Sequence, residues 1–116
     1  MIETLQALRD TYEKIEKEIE ELQNELMKLS PKKGWTEYRW VKNKVGKKYW
    51  YYYYCYWENG KKRSVYLGKR IPSSLLQGFK DRARAKAILA RLRSLYEQKI
   101  EIVRRIEVAE NILYSI

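Results

Sequence analysis

The side chains of this sequence that are best suited to chemistry are aromatic rings that lie among lysines. The 116 residues include 11 tyrosines and 4 tryptophans but one phenylalanine, so nearly every ring carries a polar group that can donate a hydrogen bond. Residues 49–57 read YWYYYYCYW, with Lys47 and Lys48 before them and Lys61 and Lys62 after them. Rings for stacking and cations for phosphate are typical of nucleic-acid surfaces, although β propensity and core filling also favour such a run.

Other chemistries are disfavoured by the composition. The chain has no histidine, which excludes histidine acid–base catalysis, and its single cysteine, Cys55, excludes an intrachain disulfide and a cysteine-cluster zinc site. The acids of the middle segment, Glu37, Glu58 and Asp81, are too dispersed in sequence for a metal site. A DNA-cleaving tyrosine would lack the histidines that accompany it. We therefore expect no enzymatic activity, no cofactor and no metal, with Cys55 as a packing residue.

Positive charge is concentrated in the middle of the chain. Residues 1–30 carry 4 bases and 8 acids, residues 31–93 carry 18 bases and 3 acids, and residues 94–116 carry 3 bases and 4 acids. The net charge of +10 therefore arises wholly from the middle segment. Such segregation is typical of an anion-binding face; the alternative is a solvated surface that favours solubility.

Both ends of the chain have the periodicity of amphipathic helices. The first segment, residues 1–30, places apolar side chains at steps of three and four, as in a heptad repeat: Leu5, Leu8, Tyr12, Ile15, Ile19, Leu22, Leu26 and Leu29. Pro31 predicts the end of this helix. The last segment has a second seam with the same steps: Ile88, Leu92, Leu95, Lys99, Ile102, Ile106, Ala109, Leu113 and Ile116.

The last helix is predicted over residues 73–116. Pro72-Ser73-Ser74 is a start signal, and Gly78 is expected to interrupt the first turns, so that the regular helix runs from about Lys80. A second apolar stripe accompanies the seam: Leu89, Tyr96, Ile100 and Val103. A two-helix stem does not bury both stripes unless the first helix packs broadly, so we expect a homodimer with a four-helix bundle.

Within the middle segment, residues 35–67 are predicted to form a three-stranded antiparallel meander. Its strands are rich in aromatic and β-branched residues, and Asn59-Gly60 is the strongest short hairpin signal. Together the elements predict an α+β fold in a single domain, residues 1–116: an antiparallel two-helix coiled-coil stem with the meander inserted at its tip. The basic start of the last helix would then join the basic sheet at one positive pole.

The turns decide which strand residues share a face of the sheet. A turn of two or four residues at Val45-Gly46 would pair Val41 with Trp50 and Arg39 with Tyr52. The face predicted to pack on the helix then carries Glu37, Arg39, Val41, Trp50, Tyr52, Tyr54, Tyr56, Arg63, Val65 and Leu67. The face predicted to be exposed carries Tyr38, Trp40, Lys42, Tyr49, Tyr51, Tyr53, Trp57, Lys62, Ser64 and Tyr66.

The candidate nucleic-acid-binding residues combine rings with the cations around them. Tyrosine suits this role because its ring stacks and its hydroxyl donates to phosphate or to base edges. Lysines in turns reach the nucleic-acid backbone, unless they are only solvated. The candidate set is Arg39, Trp40, Lys42, Lys44, Lys47, Lys48, Tyr51, Tyr53, Lys61, Lys62, Arg63, Tyr66, Lys69, Arg70, Arg82 and Arg84. Among these, Arg39, Lys62 and Arg63 are candidates for contacts with base edges.

Residues 35–70 resemble two kinds of known sequence. Three short strands with aromatic and basic residues, an Asn-Gly hairpin and a following helix are similar to the arm-type DNA-binding domain of tyrosine integrases. This resemblance implies a three-stranded sheet that inserts into the major groove. The stretch from Trp50 to Lys69, with WENGKKRSVYLGK, resembles small uncharacterised proteins of archaeal and bacterial mobile elements. Unlike the integrase modules, this chain has long flanking heptad helices and no catalytic domain.

These observations predict a nucleic-acid-binding protein that prefers duplex DNA. Two alternatives remain open: binding of single-stranded DNA or RNA through Trp40, Tyr51 and Tyr53, and a structural or protein-interaction module of a virus or plasmid. No apolar run reaches the length of a membrane span and residues 1–10 lack a signal-peptide pattern. We therefore expect a cytoplasmic protein, in the host cytoplasm if viral, without a membrane partner. The 34% of charged residues would fit a thermophilic source, such as an archaeal virus or plasmid.

Overall fold

The computed structural model describes residues 2–114, in which two helices flank three strands in chain order. The elements are α1 (Ile2–Lys28), β1 (Trp35–Lys42), β2 (Lys48–Glu58), β3 (Lys61–Gly68) and α2 (Ser73–Tyr114). The strands form one antiparallel sheet in the order β1-β2-β3. The predicted α+β class and the meander are therefore confirmed. Ile116, the last member of the predicted seam, lies outside the described residues.

The chain divides into two compact units. The first, which we call the helical unit, combines the residues up to Leu29 with those from Ala85 onward. The second, the sheet unit, comprises Ser30–Arg84 and so contains the three strands and the first turns of α2. Neither of the helices between Ile2 and Tyr114 combines the length and apolarity that crossing a membrane requires.

The helical unit is held together by the predicted seams. Ile15 and Ile19 of α1 pack with Ile88, Leu92 and Leu95 of α2, and all five side chains are buried. The two helices run antiparallel, since the ion pairs between them join the start of one to the end of the other: Arg9–Glu110, Glu16–Lys99 and Glu18–Arg91. A heptad stripe buries its apolar positions in this way because residues three and four apart share one helix face.

The one charged residue of the second seam, Lys99, lies at the edge of this core. Its ammonium group is 2.5 Å from a carboxylate oxygen of Glu16 and 5.7 Å from the centre of the Tyr12 ring. The hydrogen bond to Glu16 raises the pKa of Lys99, and the same bond lowers the pKa of Glu16. The pair therefore keeps both charges on the rim of the helix interface.

Helix α2 starts where it was predicted to start, but its first turns differ from the prediction. The helix begins at Ser73, where the carbonyl of Pro72 accepts hydrogen bonds from the amides of Leu75 and Leu76, and it continues through Gly78 without a break. Glycine is needed there for a close approach. The carbonyl of Gly78 accepts a hydrogen bond from the amide of Lys32 at 3.0 Å, and a Cβ at this position would lie 2.5 Å from the Cβ of Lys32.

The register between β1 and β2 also differs from the prediction. The connecting loop has three residues, 44–46, closed by a hydrogen bond from the Asn43 amide to the Lys47 carbonyl at 2.9 Å, with Gly46 at φ +83°. This is the three-residue hairpin with a glycine in the left-handed region. Val41 therefore pairs with Tyr49 instead of Trp50. A shift of one residue moves every side chain of β1 to the opposite face.

The register between β2 and β3 agrees with the prediction. Asn59 and Gly60 both have positive φ, 49° and 76°, as the tight two-residue hairpin requires. Glu58 pairs with Lys61, and Tyr54 pairs with Val65. Further along, an irregularity between Tyr52 and Tyr53 makes Tyr52 pair with Gly68. Leu67 therefore has no regular place on the face to which it was assigned.

Candidate nucleic-acid interface

The observed register defines the two faces of the sheet. We call the front face the one that carries Thr36, Tyr38, Trp40, Lys42, Lys48, Trp50, Tyr52, Tyr54, Tyr56, Glu58, Lys61, Arg63 and Val65. The back face carries Trp35, Glu37, Arg39, Val41, Tyr49, Tyr51, Tyr53, Cys55, Trp57, Lys62, Ser64 and Tyr66. Apart from Leu67, the predicted assignments in β2 and β3 hold, whereas those in β1 were wrong: Tyr38, Trp40 and Lys42 share a face with Trp50.

Part of the front face packs against the rest of the sheet unit. Tyr54 is buried, its hydroxyl donates a hydrogen bond to the carbonyl of Lys33 at 2.5 Å, and its ring lies 6.3 Å from that of Phe79 in α2. Burial raises the pKa of the Tyr54 hydroxyl. The ammonium groups of Lys32 and Lys33 lie over the rings of Tyr54 and Tyr56. This half of the face anchors the sheet.

The other half of the front face is open and aromatic. Tyr38, Trp40 and Trp50 expose 54%, 47% and 47% of their surface. The rings of Tyr38 and Trp50 are stacked at 5.2 Å with an angle of 23°, and Tyr38 also lies 4.6 Å from Tyr52. Trp40 pairs directly with Trp50 across the strands. We call Tyr38, Trp40, Trp50 and Tyr52 the aromatic platform. Tyr38, Trp40 and Trp50 keep exposed ring surface, whereas Tyr52 is half-buried, so the three exposed rings can stack with a planar ligand.

Two lysines border the platform in an arrangement that is unfavourable for the protein alone. Lys42 and Lys48 are direct cross-strand partners, and like charges at that position destabilise a sheet. Both ammonium groups lie over the Trp40 ring, 5.8 Å and 4.6 Å from its centre. Residues 38–57 contain no Asp or Glu, so the strand neighbours supply no compensating charge. An anion that binds between the two lysines would remove their repulsion.

The back face holds a polar network around a buried thiol. Cys55 is fully buried, and the Arg39 guanidinium donates to its Sγ at 3.2 Å and to a Glu37 carboxylate oxygen at 3.0 Å. Glu37 also accepts hydrogen bonds from Lys62 and Trp35, both at 2.8 Å. Lys62 above all, then Trp35, the Cys55 thiol and Arg39, hold the pKa of Glu37 far below its usual range. Arg39 and Lys62 therefore have structural partners within the sheet.

The tyrosines of the back face pack on one another. Tyr66 meets Tyr51 and Tyr53 edge to face, with ring centres 5.5 Å and 5.7 Å apart, and the Arg39 guanidinium covers Tyr53 at 4.7 Å. Tyr51 and Tyr53 are half-buried, while Tyr66 is exposed. Because they are half-buried, Tyr51 and Tyr53 offer less stacking surface than the exposed platform rings Tyr38, Trp40 and Trp50.

The remaining candidates have varied surroundings. Lys44 and Lys47 are exposed in the β1–β2 loop, with Lys47 over the back-face ring of Tyr49 at 5.4 Å. The guanidinium of Arg82 donates to the carbonyls of Lys32 and Gly34 at 3.1 Å and 2.7 Å, so this side chain fixes the chain entry to β1. The others are exposed at the second hairpin, after β3 or on α2: Lys61, Arg63, Lys69, Arg70 and Arg84.

The structure thus brings Trp40, Lys42 and Lys48 together, and adds three rings that the candidate set omits: Tyr38, Trp50 and Tyr52. Trp50 and Tyr52 were omitted because their face was predicted to pack on the helix, whereas Tyr38 was on the face predicted to be exposed but was not included in the set. The signal that could have found them is the asparagine at the start of the loop, since Asn43 Oδ1 accepts hydrogen bonds from the amides of Val45 and Lys47 and thereby fixes a three-residue loop. Among residues 2–114, no three acidic, cysteine or histidine side chains cluster as metal ligands.

The chain belongs to the family of the domain of unknown function DUF6788, whose model matches residues 12–77. The matched range contains most of α1, the whole sheet and the first residues of α2. The platform and its lysines thus lie within the matched range. No curated protein and no solved structure matches the chain.

Proposed function

We propose that this protein binds nucleic acid, with duplex DNA as the favoured ligand, through the open half of the front face. The observation that carries the proposal is the pair of lysines, Lys42 and Lys48, which lie over one exposed ring in a stretch, residues 38–57, that contains no Asp or Glu. Such an arrangement costs folding free energy in the absence of an anion. A phosphate backbone supplies anions at regular spacing.

The dimensions of the sheet favour a duplex. Adjacent strands are about 4.8 Å apart, so three strands span about 10 Å between the outer backbones. The major groove of B-DNA is about 12 Å wide and admits a two-stranded β-ribbon, and the three backbones of this sheet stay within that width. Lys44 in the β1–β2 loop and Lys61 at the Asn59-Gly60 hairpin would then flank the groove and contact phosphates. The similarity of residues 35–70 to arm-type integrase domains, which insert a three-stranded sheet, supports the same geometry.

The proposed roles of individual residues follow from their partners. Lys42, Lys48 and Lys61 on the front face would neutralise phosphates, together with Lys44 in the loop. Arg63 is the strongest candidate for a base-edge contact, because its partner Glu58 is 3.8 Å away. Arg39 and Lys62 are held by Glu37 on the back face. The proposal that Arg39 and Lys62 contact bases is therefore weakened, whereas Arg63 remains a candidate for a base contact.

The first experiment titrates a fluorescent duplex of random sequence at salt concentrations from about 50 to about 300 mM. Affinity should fall steeply, with a slope of about −0.9 for each neutralised phosphate in a plot of log affinity against log salt. An affinity that does not change with salt, or no binding at micromolar protein, contradicts the proposal.

Two neighbouring lysines provide a matched test of the face. Lys48 lies over Trp40 on the front face, whereas Lys47 lies over Tyr49 on the back face. Lys48→Glu should weaken duplex binding about tenfold and reduce the salt slope by about 1, and Lys47→Glu should have a clearly smaller effect. Equal losses, or a larger loss for Lys47→Glu, would move the interface away from the front face.

Single-stranded DNA or RNA is the second candidate ligand, and the exposed platform rings favour it. Unpaired bases stack on such rings, with about 1–3 kcal/mol per base. The discriminating measurement is competition between single and double strands, followed by tryptophan quenching. Trp50→Ala should weaken single-strand binding by about that amount, and Trp57→Ala, which removes an exposed back-face ring, is the matched control. If neither ligand binds, a protein-interaction module with an acidic partner is the remaining interpretation.

A further inference from the structure

The helical unit leaves a second apolar stripe of α2 uncovered. Leu89, Tyr96 and Ile100 expose 55%, 41% and 62% of their surface, and Val103 continues the stripe with partial exposure. The spacing of seven, four and three residues keeps these side chains on one helix face, beside the seam that packs on α1. The stripe is about 21 Å long. Packing of α1 therefore does not account for it.

The ring at the middle of this stripe is held in place. The Tyr96 hydroxyl accepts a hydrogen bond from Nε2 of Gln23 in α1 at 2.8 Å. Beyond it, a shallow groove of about 380 Å³ runs along α2, lined by Tyr96, Lys99, Ile100, Val103, Arg104 and Glu107. An apolar side chain that enters this groove would contact Ile100 and Val103. The surface is thus preformed and apolar in the centre, with charges at the edge, as protein interfaces are.

We propose that a second copy of this chain covers the stripe, with the two α2 helices antiparallel about a two-fold axis at Ile100. An isologous interface requires a surface whose charges complement themselves, and this face of α2 has such a pattern. Arg93 lies seven residues before Ile100 and Glu107 lies seven residues after it. Antiparallel packing therefore places each Arg93 opposite Glu107 of the other copy.

The next positions follow the same symmetry. Tyr96 and Arg104 lie four residues on either side of Ile100, so antiparallel packing brings each arginine to the level of the other copy's tyrosine. A parallel arrangement would instead bring Arg93 against Arg93 and Glu107 against Glu107, which is unfavourable. Within the part of the chain that the structure describes, no ion pair engages Arg93 or Glu107. Both charges are available for the second copy.

The first test is the oligomeric state, measured by sedimentation equilibrium, of the full chain and two variants. Wild type should be a dimer at micromolar concentration. Ile100→Glu should raise the dissociation constant at least about a hundredfold, because it places two carboxylates at the axis. Met27→Glu makes the same kind of change at an exposed apolar residue of α1 and should leave the dimer intact. A monomeric wild type, or an Ile100→Glu variant that stays dimeric, overturns the proposal.

The second test addresses the antiparallel register and uses surface residues that do not support the fold. Arg93→Glu and Glu107→Arg should each raise the dissociation constant about tenfold, because each change turns two attractive contacts into repulsive ones. The double variant should recover the wild-type value. If the losses of dimer affinity in the two single variants simply add in the double variant, Arg93 does not pair with Glu107, and the two-fold axis at Ile100 is overturned. Nucleic acid is absent from both tests, so their outcome is independent of the proposed function.

Discussion

The helical unit and the sheet unit treat their apolar side chains in opposite ways. In the helical unit the seam residues Ile88 and Leu95 each expose 1% of their surface, and they form a continuous core with Ile15 and Ile19. In the sheet unit the fully buried side chain is Cys55, while large rings such as Trp50 remain open to solvent. Burial of apolar area is the main favourable contribution to folding. The helical unit therefore relies on it far more than the sheet unit does.

The two units also differ in how their charged side chains are paired. In the helical unit cations meet acids of the opposite helix, as in Arg91–Glu18 and Lys99–Glu16. In the sheet unit the lysines at the open end of the sheet, Lys42 and Lys48, meet rings and each other. Optimised packing and paired charge are what selection for stability alone would give. The departures from it in the sheet unit are the features on which the proposed nucleic-acid interface rests.

The largest expected effect on stability breaks the core of the helical unit. Leu95→Ala should lower the free energy of unfolding by about 2–5 kcal/mol, because it leaves a cavity between the two seams. Val65→Ala truncates an exposed side chain of the sheet and should cost less than about 1 kcal/mol. Urea unfolding followed by circular dichroism gives both values. Equal losses would show that the two units do not differ in their dependence on apolar burial.

A smaller effect is expected where the sheet unit depends on backbone geometry. Gly34 has φ +93°, and a Cβ there would meet the carbonyl oxygen of Cys55 and lie 2.8 Å from Cε1 of Tyr54. Gly34→Ala should cost about 1–3 kcal/mol of unfolding free energy. Gly46 also has positive φ but has open space around it, so Gly46→Ala isolates the conformational part. A loss at Gly34 no larger than at Gly46 would mean that the close contact contributes nothing.

The two units also differ in how much of them could be predicted from the sequence. The seams around Ile88 and Leu95 were predicted because a heptad repeat is local and needs no knowledge of a partner. The pairing of Tyr54 with Val65 was predicted because Asn59-Gly60 specifies its own hairpin. The face on which Trp40 lies was not predicted, because Val45-Gly46 fits a two-residue turn as well as the end of a three-residue loop. A register shift of one residue moves every side chain of β1 to the opposite face of the sheet.

The side-chain partners of the cations in the sheet unit could not be predicted from the sequence either, because they also depend on the register. Arg39 and Lys62 were predicted to contact base edges, yet both bind Glu37, which lies two residues from Arg39 and reaches Lys62 only through the register of the sheet. Arg82 was grouped with the basic surface, yet it binds two carbonyls next to β1. Such contacts depend on the register and on the path of residues 30–34. Composition therefore located the basic-aromatic region but did not separate its structural cations from its exposed ones.

The smallest expected effect concerns acid, and it separates the structural cations from the exposed ones. The partners of Glu37 hold its pKa below the ordinary value of 4.5. A carboxyl group whose pKa is lowered by folding contributes stability above its unfolded pKa, and this contribution disappears as the pH falls toward the folded value. The wild-type sheet unit should therefore lose stability as the pH falls below about 4.5, and Glu37→Gln should be less stable at neutral pH but less sensitive to acid.

The measurement is the urea midpoint at pH values from neutral to about 3, followed by tryptophan fluorescence, since Trp35 donates a hydrogen bond to Glu37. Glu58→Gln is the matched control because its carboxylate meets Arg63 only at 3.8 Å; its midpoints should parallel those of wild type. Parallel midpoints for Glu37→Gln as well would mean that the network does not stabilise the back face. Arg39 and Lys62 would then be as available to a ligand as Lys42 and Lys48, and the preference for the front face would lose one of its supports.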